Sequence, residues 1–303
     1  MQTFNKSFLV NKIVNTLISN NFEVFVTGGC FDIAAKNKKL LLVKALINID
    51  GLSQQQALSL KAISYFVSAY PFIVSLKTNR EMLKDEIIYS RFELPVMTPK
   101  MFSAIIEEET IPYVKSTKGK HIIPINTYTL RKKRKELRLS LKQLAEKIGI
   151  SKKALYEIEN NRVTPTVQTV KKLEDVLKTD LKLAYQPEPL KATYLKPKDK
   201  FEERVRKEFI RIGIDNSSVY SAPFEIIGKI KKPIITGLSK NDKKIKKDAL
   251  AVKKLSFILS SECTFIAKKF EENSVEGVPI ILEEELSSIE SAKEFDKLLR
   301  EKI

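Results

Sequence analysis

The sequence predicts a mixed α/β (α+β) chain with an all-helical domain at its centre, and three observations carry that expectation. Strand-like alternation and amphipathic helical runs intermix before residue 112 and again after residue 201. Between them, residues 128–185 divide into short helical runs, each opened by a capping residue and closed by a glycine or a polar turn. The stretch QPEPLKATYLKPKDK, with Pro187, Pro189 and Pro197, reads as a linker. The expected organisation is therefore an α/β domain over residues 1–112, a connector over 113–127, a helical domain over 128–185, a linker over 186–200 and a second α/β domain over 201–303.

Composition narrows the function classes. The 303 residues hold 54 Lys plus Arg against 37 Asp plus Glu, a formal net charge of +17, which attracts a polyanion such as DNA, RNA or an anionic membrane. Charge alone does not choose among these. Apolar runs such as LLLV before Lys44 stop well short of the roughly 20 residues that a bilayer span needs, so no membrane segment is expected. The first 13 residues lack a secretory apolar core, and the expected location is the cytoplasm. Cys30 and Cys263 stand far apart, giving neither a disulfide framework nor a thiolate cluster for zinc. His121 is the single histidine and reads as a solvated strand residue, so sites that need two imidazoles are excluded. No cofactor, metal or catalytic residue is expected.

The central segment carries the sharpest local signals. Ser140 precedes an apolar-periodic run and Gln143 follows three residues later, a pairing in which each side chain satisfies the other's free backbone N–H; a helix therefore starts at Leu141. Leu141, Leu144, Ala145 and Ile148 form one apolar stripe, and Ala145 permits close helix approach. Gly149 supplies the positive φ that ends the helix, Ile150 plugs the core, and Ser151 caps the next helix. On that second helix Leu155 and Ile158 face inward, leaving Lys152, Lys153 and Tyr156 outward. The turn NNRVTPT follows, and after Pro165 the periodic Val167, Val170, Leu173, Val176 and Leu177 make a packing helix. Residues 128–178 hold 14 Lys plus Arg against 6 Asp plus Glu, an electrostatic footprint for nucleic acid. A bundle with a merely solvated basic face is the competing reading.

The run LRLSLKQLAEKIGISKKALYEIENNRVTPTVQTVKKLEDVL resembles the Cro/phage-repressor helix-turn-helix family, over about 50 residues and with the order LS, LA, GIS, IE and Pro intact. The resemblance implies that Ser151, Lys152, Lys153 and Tyr156 lie on a recognition helix, and that Asn160 and Arg162 lie on a loop that touches phosphates. Lysine can donate to guanine or phosphate, whereas a loop Asn or Arg more often anchors the backbone. Where the family usually carries Gln at the start of the first motif helix, this chain has Leu141.

The flanking segments suggest a duplication. NNFEVFVTGGCFDIAAKNKKLLLVKALINID reads as successive strands with a turn at residues 36–38; SQQQALSLKAISYFVSAY reads as a helix with Ala57, Leu60, Ile63, Ser64 and Val67 on one face; PFIVSL reads as a further strand. This order resembles the restriction-endonuclease-like fold, in which an Asp and an acidic-x-Lys triplet gather a divalent metal. Asp32 matches the Asp and Lys44 the Lys, but Leu42 stands at the acidic position, so the resemblance implies a vestigial site without nuclease chemistry. Downstream, APFEIIGKIKKPIITGLSKND lies beside GCFDIAAKNKKLLLVKALINI, pairing Phe31 and Asp32 with Phe224 and Glu225, and Phe72 and Ile73 with Phe265 and Ile266. Gly237 then falls at the position of Lys44 and Ile235 at that of Leu42. Residues 229–254 hold 10 Lys against 2 Asp, a second basic surface. The three-part order is similar to archaeal helix-turn-helix regulators.

The expected function is sequence-specific binding of double-stranded DNA by a homodimeric transcriptional regulator, acting without enzymatic chemistry. Two alternatives stand beside it: a metal-dependent nuclease or repair factor, and a non-specific chromatin or RNA-binding protein.

Overall fold

The computed structural model describes residues 5–107, 114–117, 120–187, 190–240 and 242–302. The expected boundary at 112, Pro189 and the first four residues lie outside them. The chain divides into two compact units, Met1–Asn79 with Glu188–Ile303, and Arg80–Pro187.

The first unit opens with α1 (Lys6–Ser19), capped by Asn5, whose side chain accepts from the Phe8 N–H at 2.8 Å. Leu9, Ile13 and Leu17, four apart, are its buried stripe. Strands β1 (Glu23–Val26), β2 (Ile33–Lys36) and β3 (Leu40–Asn48) follow as an antiparallel meander. Helix α2 (Gln54–Phe66) crosses over to β4 (Tyr70–Lys77), which lies parallel to β3. The unbroken run LLLV in β3 is buried throughout from Leu41 to Val43, as a strand covered on both faces must be. The face expected on α2 is buried, and so are Ser59, Ala62 and Phe66, because the C-terminal part of the same unit covers the helix: Ser59 Oγ accepts from the Tyr220 N–H at 2.9 Å.

The second unit begins with the antiparallel hairpin of β5 (Ile87–Arg91) and β6 (Leu94–Met97), then α3 (Pro99–Ile106). Strands β7 (Val114–Thr117) and β8 (Lys120–Ile122) occupy the expected connector; β7 runs parallel to β5 and antiparallel to β8. His121 is exposed on β8. Four helices complete the unit: α4 (Thr127–Glu136), α5 (Leu141–Ile148), α6 (Lys152–Glu159) and α7 (Val167–Leu177). Ile123 and Ile125 enter their core beside Leu130, Leu144, Leu155, Val170 and Leu173. Isolated bridges, Ile122 to Thr166 and Ile125 to Lys182, tie the strand segment to the bundle.

The C-terminal part of the first unit repeats the order of its N-terminal part. Helix α8 (Lys200–Arg211) precedes β9 (Asp215–Ser218), β10 (Ile226–Lys229) and β11 (Pro233–Ser239), again an antiparallel meander. Helix α9 (Asp242–Leu259) crosses over to β12 (Glu262–Ala267), parallel to β11. Then come β13 (Ser274–Val275), β14 (Val278–Leu282), α10 (Glu283–Ser288) and α11 (Ala292–Glu301), giving the sheet order β13-β14-β12-β11-β10-β9. On α8, Phe201, Val205 and Phe209 keep the four-residue spacing of Leu9, Ile13 and Leu17.

Candidate nucleic-acid interface

Each sequence marker in the helical unit has its hydrogen bond. Ser140 Oγ accepts from the Gln143 N–H at 3.2 Å, and Gln143 Oε1 accepts from the Ser140 N–H at 2.8 Å. Leu144, Ala145 and Ile148 are buried, while Leu141 packs half-buried at the rim of the same core with Ile150. Gly149 adopts φ +72°, and the Ile150 N–H returns to the Ala145 carbonyl at 3.0 Å, closing α5. The Lys172 ammonium covers the carbonyl of Ile148 at 3.1 Å, placing a cation at the negative end of that helix.

Ser151 caps α6 by accepting from the Ala154 N–H at 3.1 Å. With the helix start fixed there, Leu155 and Ile158 turn into the core and Lys152, Lys153 and Tyr156 stand in solvent. Tyr156 is 44% exposed and carries the Arg162 guanidinium 5.7 Å from its ring centroid. Arg162 also pairs with Glu157 at 3.4 Å on the exposed surface. Asn160, which the resemblance places on a loop that touches phosphates, has its amide engaged within the chain. It is half-buried, its Nδ2 donates to the Tyr156 carbonyl at 2.8 Å, and its Oδ1 lies 3.4 Å from Arg131 Nη2, so its amide closes the C-terminal end of α6.

Glu159, Arg131 and Arg134 are the residues that the sequence reading missed. Glu159 is 4% exposed. Its carboxylate takes both prongs of Arg134, at 2.7 and 3.0 Å, while its carbonyl accepts from the Arg131 guanidinium, at 2.9 Å from Nε. The remaining nitrogen of Arg134, Nη1, donates to the Leu139 carbonyl at 3.0 Å, fastening α4 to the turn before α5. The bond to Glu159 pushes the Arg134 guanidinium above its usual range. The available signal was positional: Glu159 falls four residues after Leu155, on the apolar stripe, where an acid requires a partner.

In the first unit Asp32 and Lys44 meet as an ion pair at 3.2 Å, both almost wholly buried. Asp32 Oδ2 accepts from the Ala45 N–H at 2.9 Å, and Oδ1 from the Lys6 ammonium at 2.7 Å. Burial lowers the Lys44 ammonium below its usual range, against the pull of Asp32. Leu42, fully buried, offers no oxygen, and no group of three or more His, Cys, Asp or Glu that could hold a metal occurs among the described residues. The residues here do not fit a divalent cation, which needs several oxygen ligands. No helix among the described residues is long and apolar enough to cross a membrane.

Comparison with known proteins agrees with both parts. The PD-(D/E)XK superfamily domain matches residues 6–111, and the helix-turn-helix family matches residues 130–183. A protein of Archaeoglobus fulgidus named "Putative HTH-type transcriptional regulatory protein" is 30% identical over 97% of each chain. A relative of the same name from Methanothermobacter thermautotrophicus is 29% identical, over 99% of this chain and 98% of its own. One from Thermococcus kodakarensis is 30% identical over 90% of this chain and 87% of its own. No solved structure matches the chain significantly.

Proposed function

This chain belongs to the archaeal family of HTH-type transcriptional regulatory proteins, and from that premise we propose that it binds double-stranded DNA through α6 and regulates transcription at a specific operator. The observation that carries the reading is the geometry of α6: a Ser151-capped helix, anchored by Leu155 and Ile158, that presents Lys152, Lys153 and Tyr156 to solvent. A helix of this kind enters the major groove with its first turns against base edges. Lys152 and Lys153 contact bases or phosphates there; Ser151 adds a hydroxyl at the helix start, and Arg162, stacked on Tyr156, reaches a phosphate. Asn160 acts by holding the end of α6 and Arg131 in place.

One such helix reads only a few base pairs. Two chains pair on DNA, setting their recognition helices roughly 34 Å apart on one face of the duplex. The α/β domains expected over residues 1–112 and 201–303, of which residues 6–111 match the PD-(D/E)XK superfamily domain, serve as scaffold in a cytoplasmic, non-enzymatic regulator. Genomic footprinting tests this reading: discrete protected sites with two-fold related half-sites are expected, and even, sequence-independent coverage contradicts it.

A further inference from the structure

Two carboxylates, one in each part of the first unit, make the same backbone bonds. The Asp32 N–H donates to the Val43 carbonyl at 2.8 Å, and the Glu225 N–H to the Thr236 carbonyl at 3.0 Å. Asp32 Oδ2 accepts from the Ala45 N–H at 2.9 Å, and Glu225 Oε2 from the Leu238 N–H at 2.7 Å. Their carbonyls accept from the Thr27 and Val219 N–H groups at 2.9 and 2.7 Å. In each case the remaining carboxylate oxygen meets an ammonium at 2.7 Å: Lys6 on Asp32, Lys244 on Glu225. Those lysines come from non-equivalent places, α1 in one half and α9 in the other. The shared feature is therefore the positive charge at that oxygen, not an inherited residue.

The two halves also pack reciprocally. Helix α2 lies on β10, and α9, its counterpart in element order, lies on β2, the counterpart of β10. Near the centre of this arrangement the Cys30 N–H donates to the Ser221 carbonyl at 2.5 Å. The approach demands a glycine next door: Gly29 has φ +116°, and a Cβ there would lie 1.9 Å from the Ser221 oxygen. Lys44 holds this loop from within, donating to the Gly29 carbonyl at 2.5 Å.

We infer that the first unit is a fused dimer of two nuclease-like copies, in which a lysine ammonium stands at each vestigial cation position and Lys44 fastens the loop that joins the copies. The pair is complete within one chain and is independent of whether two chains associate on DNA. The remnant of the metal site thus holds an internal interface together, and divalent cations have no place in it.

Two alanine variants of the full chain separate this from simple backbone strain. Gly29 and Gly213 both have positive φ, at +116° and +86°, but a Cβ at Gly213 would meet nothing within 4 Å. Gly29→Ala is expected to lower the melting temperature at least twice as far as Gly213→Ala; equal losses overturn the docking. Should Gly29→Ala not accumulate, Ser59→Ala, which removes the acceptor of the Tyr220 N–H, replaces it against the exposed Ser287→Ala, with the same larger loss expected and an equal one overturning the claim. Titration of the unmodified chain with Mn²⁺ is expected to leave its melting temperature unchanged. A rise of several degrees that Asp32→Asn abolishes overturns the assignment of the cation position.

Discussion

Arg134 and Glu159 form a two-pronged ion pair between α4 and α6, Nε to Oε1 at 2.7 Å and Nη2 to Oε2 at 3.0 Å, with the two side chains only 11% and 5% exposed. Removing one partner of such a pair strands a desolvated charge, which costs about 3–5 kcal/mol. Glu159→Ala is therefore expected to destabilise the helical unit by that amount in urea unfolding. A loss below about 1 kcal/mol would show that the pair only decorates the surface.

The two serine caps predict a finer pattern. Ser140→Ala and Ser151→Ala each remove the acceptor of a first-turn N–H and should cost about 1 kcal/mol, whereas Gly at either position should cost only a few tenths. Chemical denaturation of the four variants checks this; losses as large for Gly as for Ala would contradict it.

Arg162 should report on phosphate contact. Its side chain is 61% exposed, so Arg162→Ala is expected to leave stability within about 0.5 kcal/mol. Affinity should fall alike for specific and random duplexes, and the slope of log affinity against log salt should drop by about 1. An unchanged slope would remove Arg162 from the interface.

Burial pushes the Cys30 thiol up to about 12, whereas an unfolded cysteine titrates near 8.5. The neutral thiol is favoured by the fold, so its contribution is fully present below the unfolded value and is lost as pH rises from there towards 12. The melting temperature should fall steadily over that interval, and less steeply in Cys30→Ala. A native chain whose thiol reacts rapidly with a disulfide reagent at pH 8 would contradict the burial.

The legible parts of the sequence were those whose signals are local. Ser140 with Gln143, Gly149, and Ser151 are each resolved by a bond within a few residues, and the structure places all of them as the spacing implies. The apolar run at Leu41 to Val43 likewise read as strand, and it lies buried within β3. What stayed hidden depends on distant partners. Residues 114–117 are polar for a strand, and β7 acquires its identity by pairing with β5. Arg134 lies in a lysine-rich run that gives no sign of a buried partner, because its acid stands 25 residues away. Lys6 showed no sign of reaching Asp32, 26 residues on. Asn160 has the chemistry of a phosphate anchor, and only the closeness of the Tyr156 carbonyl and Arg131 shows its amide to be engaged.

Whether α6 reads DNA through its first turn is decided by a gel-shift assay of Lys152→Ala/Lys153→Ala on a site recovered by footprinting. Both side chains stand in solvent and make no contact that the fold needs, so far-UV circular dichroism and the melting temperature should match the unmodified chain. Specific binding should be abolished. Undiminished operator affinity in a folded double variant would show that the first turn of α6 does not read DNA.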